Sequence, residues 1–488
     1  MIDFKELWGI ADWVILGLYF VGIMSVGFFM HRKASKNFKS FFVAGRRLTI
    51  PVLIGVAAAV WHDSWSIVGI GELGATVGLS IILFYIVPCA VLRLPLALWI
   101  GPITREKLPD WVITLPDMIR FFYNKTSGVL SSVVPMASIL YCCALLFAAE
   151  EVLHLVSGVP IWLTMIIAGF AVILYTSMAG MWALAVTDLI QFAILTVSAG
   201  AVILGIFVEF GSGEALWEAV RASDPAKLSL TGNLTAGSAF GYVLSAAAMY
   251  VNAQSYQRFG AAKGGGEIKV SYFIMLILGT MFSVVMLLTG VASSVLHADA
   301  ATASEGFWAT AFEVLPPGAR GLFVAALIAA VMSTVSADLL FTGGILVKNI
   351  AKEIFKPDMS DQTVLKGSKI IIVVLGIFII AGTYLWRNGI GNAWSIIGGF
   401  QVAVFFVPIL GGFFFKKKTP VGGTIAIVFG ICFYALWQFV LGSPYGIPSS
   451  VATWIAGGIV YIIACLVTYK SYANSEAMKL KEEGRDTL

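Results

Sequence analysis

Small and oxygen-bearing residues recur in one segment, "AALIAAVMSTVSADLL" (Ala325–Leu340), at a spacing suited to ion chemistry. Ala330, Ser333, Thr334, Ala337 and Asp338 stand at i, i+3, i+4, i+7 and i+8, so on a helix they share one face. Sodium is a hard cation that takes oxygen ligands. Two adjacent hydroxyls, aided by carbonyls freed where another helix breaks, supply them without burying a net charge. The same face would also let two helices approach closely. A second segment, "YTSMAGMWALAVTDLIQF" (Tyr175–Phe192), uses a Gly-containing hairpin to join two apolar stretches and puts Thr187, Asp188 and Gln191 early in the second. An Asp at mid-bilayer costs roughly 2.5–3.5 kcal/mol on insertion scales, which makes Asp188 a functional candidate; the alternative is a carboxylate at the water interface.

These residues need a scaffold, and the composition says which kind. Hydrophobic residues make up 59% of the 488, charged ones 12%, and mean hydropathy is +0.92, a balance that a solvated globule does not need. The chain reads as all-α and integral to a membrane. At about 20 residues per crossing, thirteen spans are predicted near 10–30, 48–74, 78–100, 127–155, 160–179, 183–208, 236–256, 270–296, 318–347, 368–386, 392–414, 421–441 and 448–469. Of the 31 basic residues, 25 fall in one alternating set of loops with the tail, 5 (Lys5, Arg221, Lys227, Arg320, Arg387) fall in the other, and Arg93 lies inside a span. This places the N-terminus outside and the C-terminus in the cytoplasm of a multi-pass protein of the cell's inner (plasma) membrane. The net charge of +4 then reflects topology and not nucleic-acid binding.

Residues 1–12 lack a basic n-region, so no cleaved signal is expected. Cys89, Cys142, Cys143, Cys432 and Cys465 show no metal-ligand spacing and are expected to pack as small apolar side chains. No stretch between spans is long enough for a soluble domain, so 1–488 reads as one domain. The segment "TASEGFWATAFEVLPPG" is expected to lie on the outer surface as a short helix and give partial cover. No obligate protein partner is evident; the partners are lipid bilayer, ion and a small-molecule solute.

The two segments above, with "SFFVAGRRL" before the second span and "QRFGAAK" (Gln257–Lys263) after the seventh, resemble the sodium:solute symporter family over about residues 10 to 470. The wording of "ALIAAVMSTVSADLL" is similar to the bacterial proline-type branch. The resemblance implies a leucine-transporter-type, five-plus-five inverted repeat. The first repeat would be 48–208 and the second 236–414, with 1–30 and 421–470 as accessory spans and 471–488 as a cytoplasmic tail. It also implies that the first helix of each repeat is broken at mid-membrane. "AAAVWHDSWSIVGIGELG" (57–74) and "LSAAAMYVNAQSYQ" (244–257) suit such breaks.

Carried over, the family's main sodium site falls on the carbonyls of Ala59, His62 and Ala330 and the hydroxyls of Ser333 and Thr334. Asp188 matches a family carboxylate beside it. A second Na+ in some relatives uses that carboxylate and further hydroxyls; Ser336 matches, whereas the next position is Ala337 and Asp338 departs from the pattern. Substrate contacts are expected from Trp61, Asp63, Ser64, Trp65 and Ser66, from Tyr141 and Cys142, from Ser245, Met249 and Tyr250, and from Gln401. Asp63 is open to three readings: a partner for a cationic substrate, an internal pair with His62 or Arg93, or a protonatable coupling site. Glu150 and Glu151 are expected to snorkel at the outer interface, while Glu72 and His154 are further titratable residues in or near spans.

The implied activity is sodium-coupled symport of a small organic solute, an amino acid or related nitrogenous compound, with a monocarboxylate, a sugar or proton coupling as alternatives. A channel is disfavoured by the lack of a filter-like carbonyl run, an enzyme by four scattered His (31, 62, 154, 297), and a transporter-like sensor by the short tail.

Overall fold

The structure, a computed structural model, describes residues 4–34, 37–232, 234–385, 390–444 and 447–475. Lys36, Arg387 and the basic residues beyond Ser475, which enter the charge count above, lie outside the described residues. Secondary structure among the described residues is helical apart from one isolated bridge, Leu48 to Ala262.

The helix α1 spans Ile10–Ala34. The second expected span is interrupted: α2 (Ile50–Trp61) ends where His62 turns to extended backbone (φ −112°, ψ 91°), and a widened turn at Trp65–Gly69 leads into α3 (Ile70–Thr76). Next come α4 (Ile82–Glu106), α5 (Ala137–Ser157), α6 (Trp162–Met178) and α7 (Gly180–Phe210). The bend between α6 and α7 sits on Gly180 (φ 55°, ψ −147°), a conformation open only to glycine, and a Cβ there would also strike Phe41. A short helix, α8 (Gly213–Ser223), precedes the second interruption. There α9 (Ala236–Ser245) passes through a tight turn at Ala246–Tyr250, and Asn252 in extended backbone starts α10 (Ala253–Ala261). The remainder is α11 (Gly265–Leu296), α12 (Ala303–Val314), α13 (Ala319–Ile345), α14 (Asp361–Leu385), α15 (Ile390–Phe414), α16 (Pro420–Ala435) and α17 (Ser449–Ala473).

Among the described residues, ten helices are long and apolar enough to cross a bilayer, and Trp162–Met178 is a shorter apolar one. The sequence-based expectation of thirteen exceeds that number partly because α2–α3 and α9–α10 hold no unbroken run of spanning length. The chain is a multi-pass membrane protein.

The axis of the molecule is α13, which is buried at every position from Phe323 to Ile345 and packed by α1, α5, α7 and α14. Its apolar character all round follows from that central place. The short helix α12 does not lie free on the outer surface. Phe307, Trp308 and Phe312 are buried, the first two against Phe323 and the third against Phe4, so aromatic packing draws the helix into the body.

The start of the first broken helix and the end of the second are tied together. Leu48 N–H donates to Ala261 O (3.0 Å), Lys263 N–H donates to Leu48 O (2.9 Å), and Arg105 donates to Ala262 O (2.6 Å) and Lys263 O (3.0 Å). Farther out, α3 and α11 meet through glycines: a Cβ on Gly290 would overlap the Gly71 carbonyl, and one on Gly74 would overlap the Leu287 carbonyl. Close backbone approach of this kind is how helices associate where lipid removes the hydrophobic drive. Gly290→Val is therefore expected to destabilise the fold by about 3 kcal/mol. Thermal unfolding in detergent checks it against Gly200→Val, since nothing lies within 4 Å of a Cβ at Gly200. Equal melting temperatures for the two variants would contradict the packing argument.

Candidate functional site

The first interruption frees backbone and side chains that an intact helix would keep engaged. Asp63 takes the position of a local cap: its Oδ1 accepts from Ser66 N–H (3.1 Å), its carbonyl accepts from the Ser66 hydroxyl (2.7 Å), and its Oδ2 accepts from the Tyr141 hydroxyl on α5 (2.8 Å). Trp65 Nε1 donates to the Tyr85 hydroxyl (3.2 Å) on α4. His62 turns the other way and is fully buried, with its ring against Phe192 (5.9 Å, 3° between planes) and Phe282 (4.3 Å) and no hydrogen-bond partner on either ring nitrogen. It does not pair with Asp63, and no ion pair joins Asp63 to Arg93 among the described residues.

A cavity of about 110 Å³ opens beside the break. Trp61, Asp63, Trp65, Ser66, Ser245 and Met249, all named from the sequence as substrate contacts, line it together. The others stand back. Ser64 is fully buried without a partner for its hydroxyl, Tyr141 reaches the cavity through Asp63, and Tyr250 donates to Leu92 O (2.6 Å). Cys142 donates to Asp338 Oδ2 (3.3 Å), and Gln401 donates to the Ser138 hydroxyl (2.6 Å). Sequence reasoning passed over Tyr85, Cys89, Asn252, Ser255 and Tyr272, which also line the cavity. Tyr85, Cys89 and Arg93 are spaced i, i+4, i+8 along α4, a one-face signal that was there to be read.

The helix α2 touches α13, the helix of the hydroxyl pair. Ser333 and Thr334 are buried and both donate to Ala330 O, at 2.9 and 3.1 Å, while Ser336 donates to Ser333 O (3.0 Å). With their protons directed back along α13, the Ser333 and Thr334 oxygens keep lone pairs for a cation. His62 N–H donates to Ala58 O (2.8 Å), and the interruption after it leaves late carbonyls of α2, including that of Ala59, without a continuing helix to bond. Oxygen donors from two elements and no carboxylate fit a monovalent hard cation.

Asp188 belongs to a buried polar chain behind that site. Arg258 Nη2 lies 3.8 Å from Asp188 Oδ2, Arg258 Nη1 donates to Gln254 Oε1 (3.1 Å), and Gln254 Nε2 donates to Asp338 Oδ1 (2.7 Å). Cys142 completes it on α5, so this cysteine does more than pack. The chain links α7, α10, α13 and α5, and its two carboxylates share one arginine. Nearby, Gln191 donates to the Tyr19 hydroxyl (3.0 Å) and Thr187 to carbonyls of its own helix.

Of the remaining titratable residues, Glu150 does not snorkel: it is fully buried and accepts from Thr164 (3.0 Å). His154 Nδ1 lies 2.7 Å from Val159 O in an exposed bond, and Glu72 sits in the first turn of α3. The side chain of Glu151 lies outside the described residues.

Residues 41–430 match the sodium:solute symporter family. The chain is similar to the osmoregulated proline transporter of Bacillus subtilis, 24% identical over 94% of this chain and 96% of that protein. It is also similar to the sodium/glucose cotransporter of Vibrio parahaemolyticus, 25% identical over 89% and 86%. In structure it is similar to a Na+-coupled sialic acid symporter in a substrate-bound outward-open state, with a TM-score of 0.80 at 19% identity over 95% of this chain and 98% of that one. That likeness shows the fold, a five-plus-five inverted repeat with a broken first helix in each half. Because the family match runs unbroken through both interrupted helices and the helix bearing the hydroxyl pair, the chain belongs to the sodium:solute symporter family and is a secondary active transporter, not an enzyme.

Proposed function

We propose that this chain couples inward sodium flow to uptake of an amino acid or related small nitrogenous solute across the plasma membrane, by alternating access. Sodium is held by the carbonyls of Ala59, His62 and Ala330 with the hydroxyls of Ser333 and Thr334, and the solute sits in the cavity at the first break. The observation that carries this reading is the buried Ser333–Thr334 pair on α13, the helix that α2 touches as it ends beside that cavity. Of the second sodium site in relatives, Asp188 here faces Arg258, and the hydroxyl position after Ser336 is Ala337, which carries no oxygen ligand. The coupling is therefore one sodium per solute. The basic loops face the cytoplasm with the N-terminus outside, and residues 48–208 and 236–414 are the two repeats. The proteins with proline as printed substrate support the nitrogenous class.

One sodium entering at 100 mV releases ~2.3 kcal/mol, and a tenfold gradient adds ~1.4. For a neutral solute, ~3.7 kcal/mol sustains roughly 500-fold accumulation. Sodium drives the cycle by favouring the outward-open state, bridging α2 and α13 only in that arrangement.

Proteoliposomes test it. Labelled proline, alanine, glycine betaine, lactate and glucose are offered with an inward sodium gradient, with potassium, or with choline on both sides. Sodium-driven accumulation of a nitrogenous solute at roughly tenfold or more above choline is expected. Equal uptake in choline overturns the coupling, and sodium-driven uptake of only lactate or glucose overturns the solute class.

A further inference from the structure

The middle of α4 holds a cation for which the described residues show no ion pair. The Arg93 guanidinium lies on the Trp61 ring, 2.8 Å from its centroid, and lines the cavity, yet its Nη1 is buried without an acceptor and the described residues give it no ion pair. A bare arginine inside a span is costly, and such groups mark ligand paths. Asp63 lines the same cavity with the opposite charge. Its neighbours, the Ser66 N–H and the Tyr141 hydroxyl, are neutral donors, and each carboxylate oxygen keeps a further lone pair. The cavity thus presents one positive and one negative group that share no ion pair among the described residues.

We propose that Arg93 and Asp63 form a two-ended clamp for a zwitterion, Arg93 taking the carboxylate and Asp63 the ammonium of one substrate molecule. This deepens the reading of the cavity as the solute site and rests on it. A planar guanidinium matches a carboxylate through two parallel N–H···O bonds. Its stacking on Trp61 holds the fork in place before substrate arrives. A sugar would leave both charges unmatched, a monocarboxylate would leave Asp63, and a simple amine would leave Arg93. Ile70, Ile86, Leu96 and Met275 also line the cavity, which suits an aliphatic or cyclic body.

The test uses the full chain in nanodiscs in sodium buffer. Affinity is measured for the twenty amino acids and glycine betaine, and the tightest binder is then compared with its own carboxamide and its deaminated acid. In the unmodified protein each analogue is expected to bind roughly 100-fold more weakly, because each strands one buried charge. Arg93→Gln should shrink the penalty on the carboxamide to about threefold while leaving that on the deaminated acid. Asp63→Asn should do the reverse. Full discrimination against the carboxamide in Arg93→Gln overturns the clamp, as does a panel in which no zwitterion binds. Should Arg93→Gln fail to fold, Arg93→Lys keeps the charge without the fork and should retain carboxylate preference at lower affinity; loss of affinity with no such preference also overturns it. Sodium-induced stabilisation, read on the same samples, separates the two proposals: its absence in the unmodified protein defeats the coupling, whereas its presence with unchanged discrimination in the variants defeats the clamp alone.

Discussion

Ser333→Ala is expected to abolish the thermal stabilisation that sodium gives over potassium and to weaken sodium binding roughly 100-fold, or ~2.7 kcal/mol. The loss is large because one ligand of a desolvated ion disappears with no water placed to replace it: Ser333 is 2% exposed. The fold itself should change little, since the hydroxyl's other contact is a bond to Ala330 O within its own helix. Ser368→Ala is the control. Its hydroxyl is equally buried and bonds back to Val364 O (2.8 Å), but it lies on α14. Melting curves at constant ionic strength, with sodium titrated against potassium, should show the shift in the control and none in Ser333→Ala. A full shift in Ser333→Ala would remove the ion site from this place.

Arg258→Gln is expected to cost 3–5 kcal/mol of stability, because it leaves the carboxylates of Asp188 and Asp338 in the interior with no cation beside them. Breaking a buried pair from one side is far worse than removing both charges, so adding Asp188→Asn to Arg258→Gln should recover at least about half of that loss. Surviving monodisperse protein after a heat ramp gives the readout for the single variants and the double. A double variant no more stable than Arg258→Gln alone would mean that the 3.8 Å pair contributes nothing specific.

Both predictions draw on residues visible in the sequence, yet the two were not equally legible. Ser333 and Thr334 could be placed because helical period and hydroxyl chemistry act within one segment, where local spacing fixes which residues share a face. The interruptions at His62 and Asn252 were expected from the family resemblance, and the polar and small residues crowded into those span centres were compatible with them. The Arg258–Gln254–Asp338–Cys142 chain was not, because it joins segments far apart in sequence and only packing decides which polar groups meet. Glu150 shows the same limit. Its place next to a short outer loop pointed to snorkelling, whereas Thr164 on the facing helix gives the carboxylate a buried donor. Likewise the apolar run in α12 resembles a surface-seeking helix until Phe323 and Phe4 are seen to receive its aromatic residues.

The long helix α11 runs beside both halves of the first break: Trp61 lies against Gly279, and the Gly71 backbone lies against Gly290. It acts as a splint. With Leu48 bonded to Ala261 and Lys263 at the end of α10, the two halves of the break are expected to tilt as one block. Since α2 and α10 both contact α13, a tilt of that block against α13 is the motion expected to open the proposed sodium site without unfolding a helix turn.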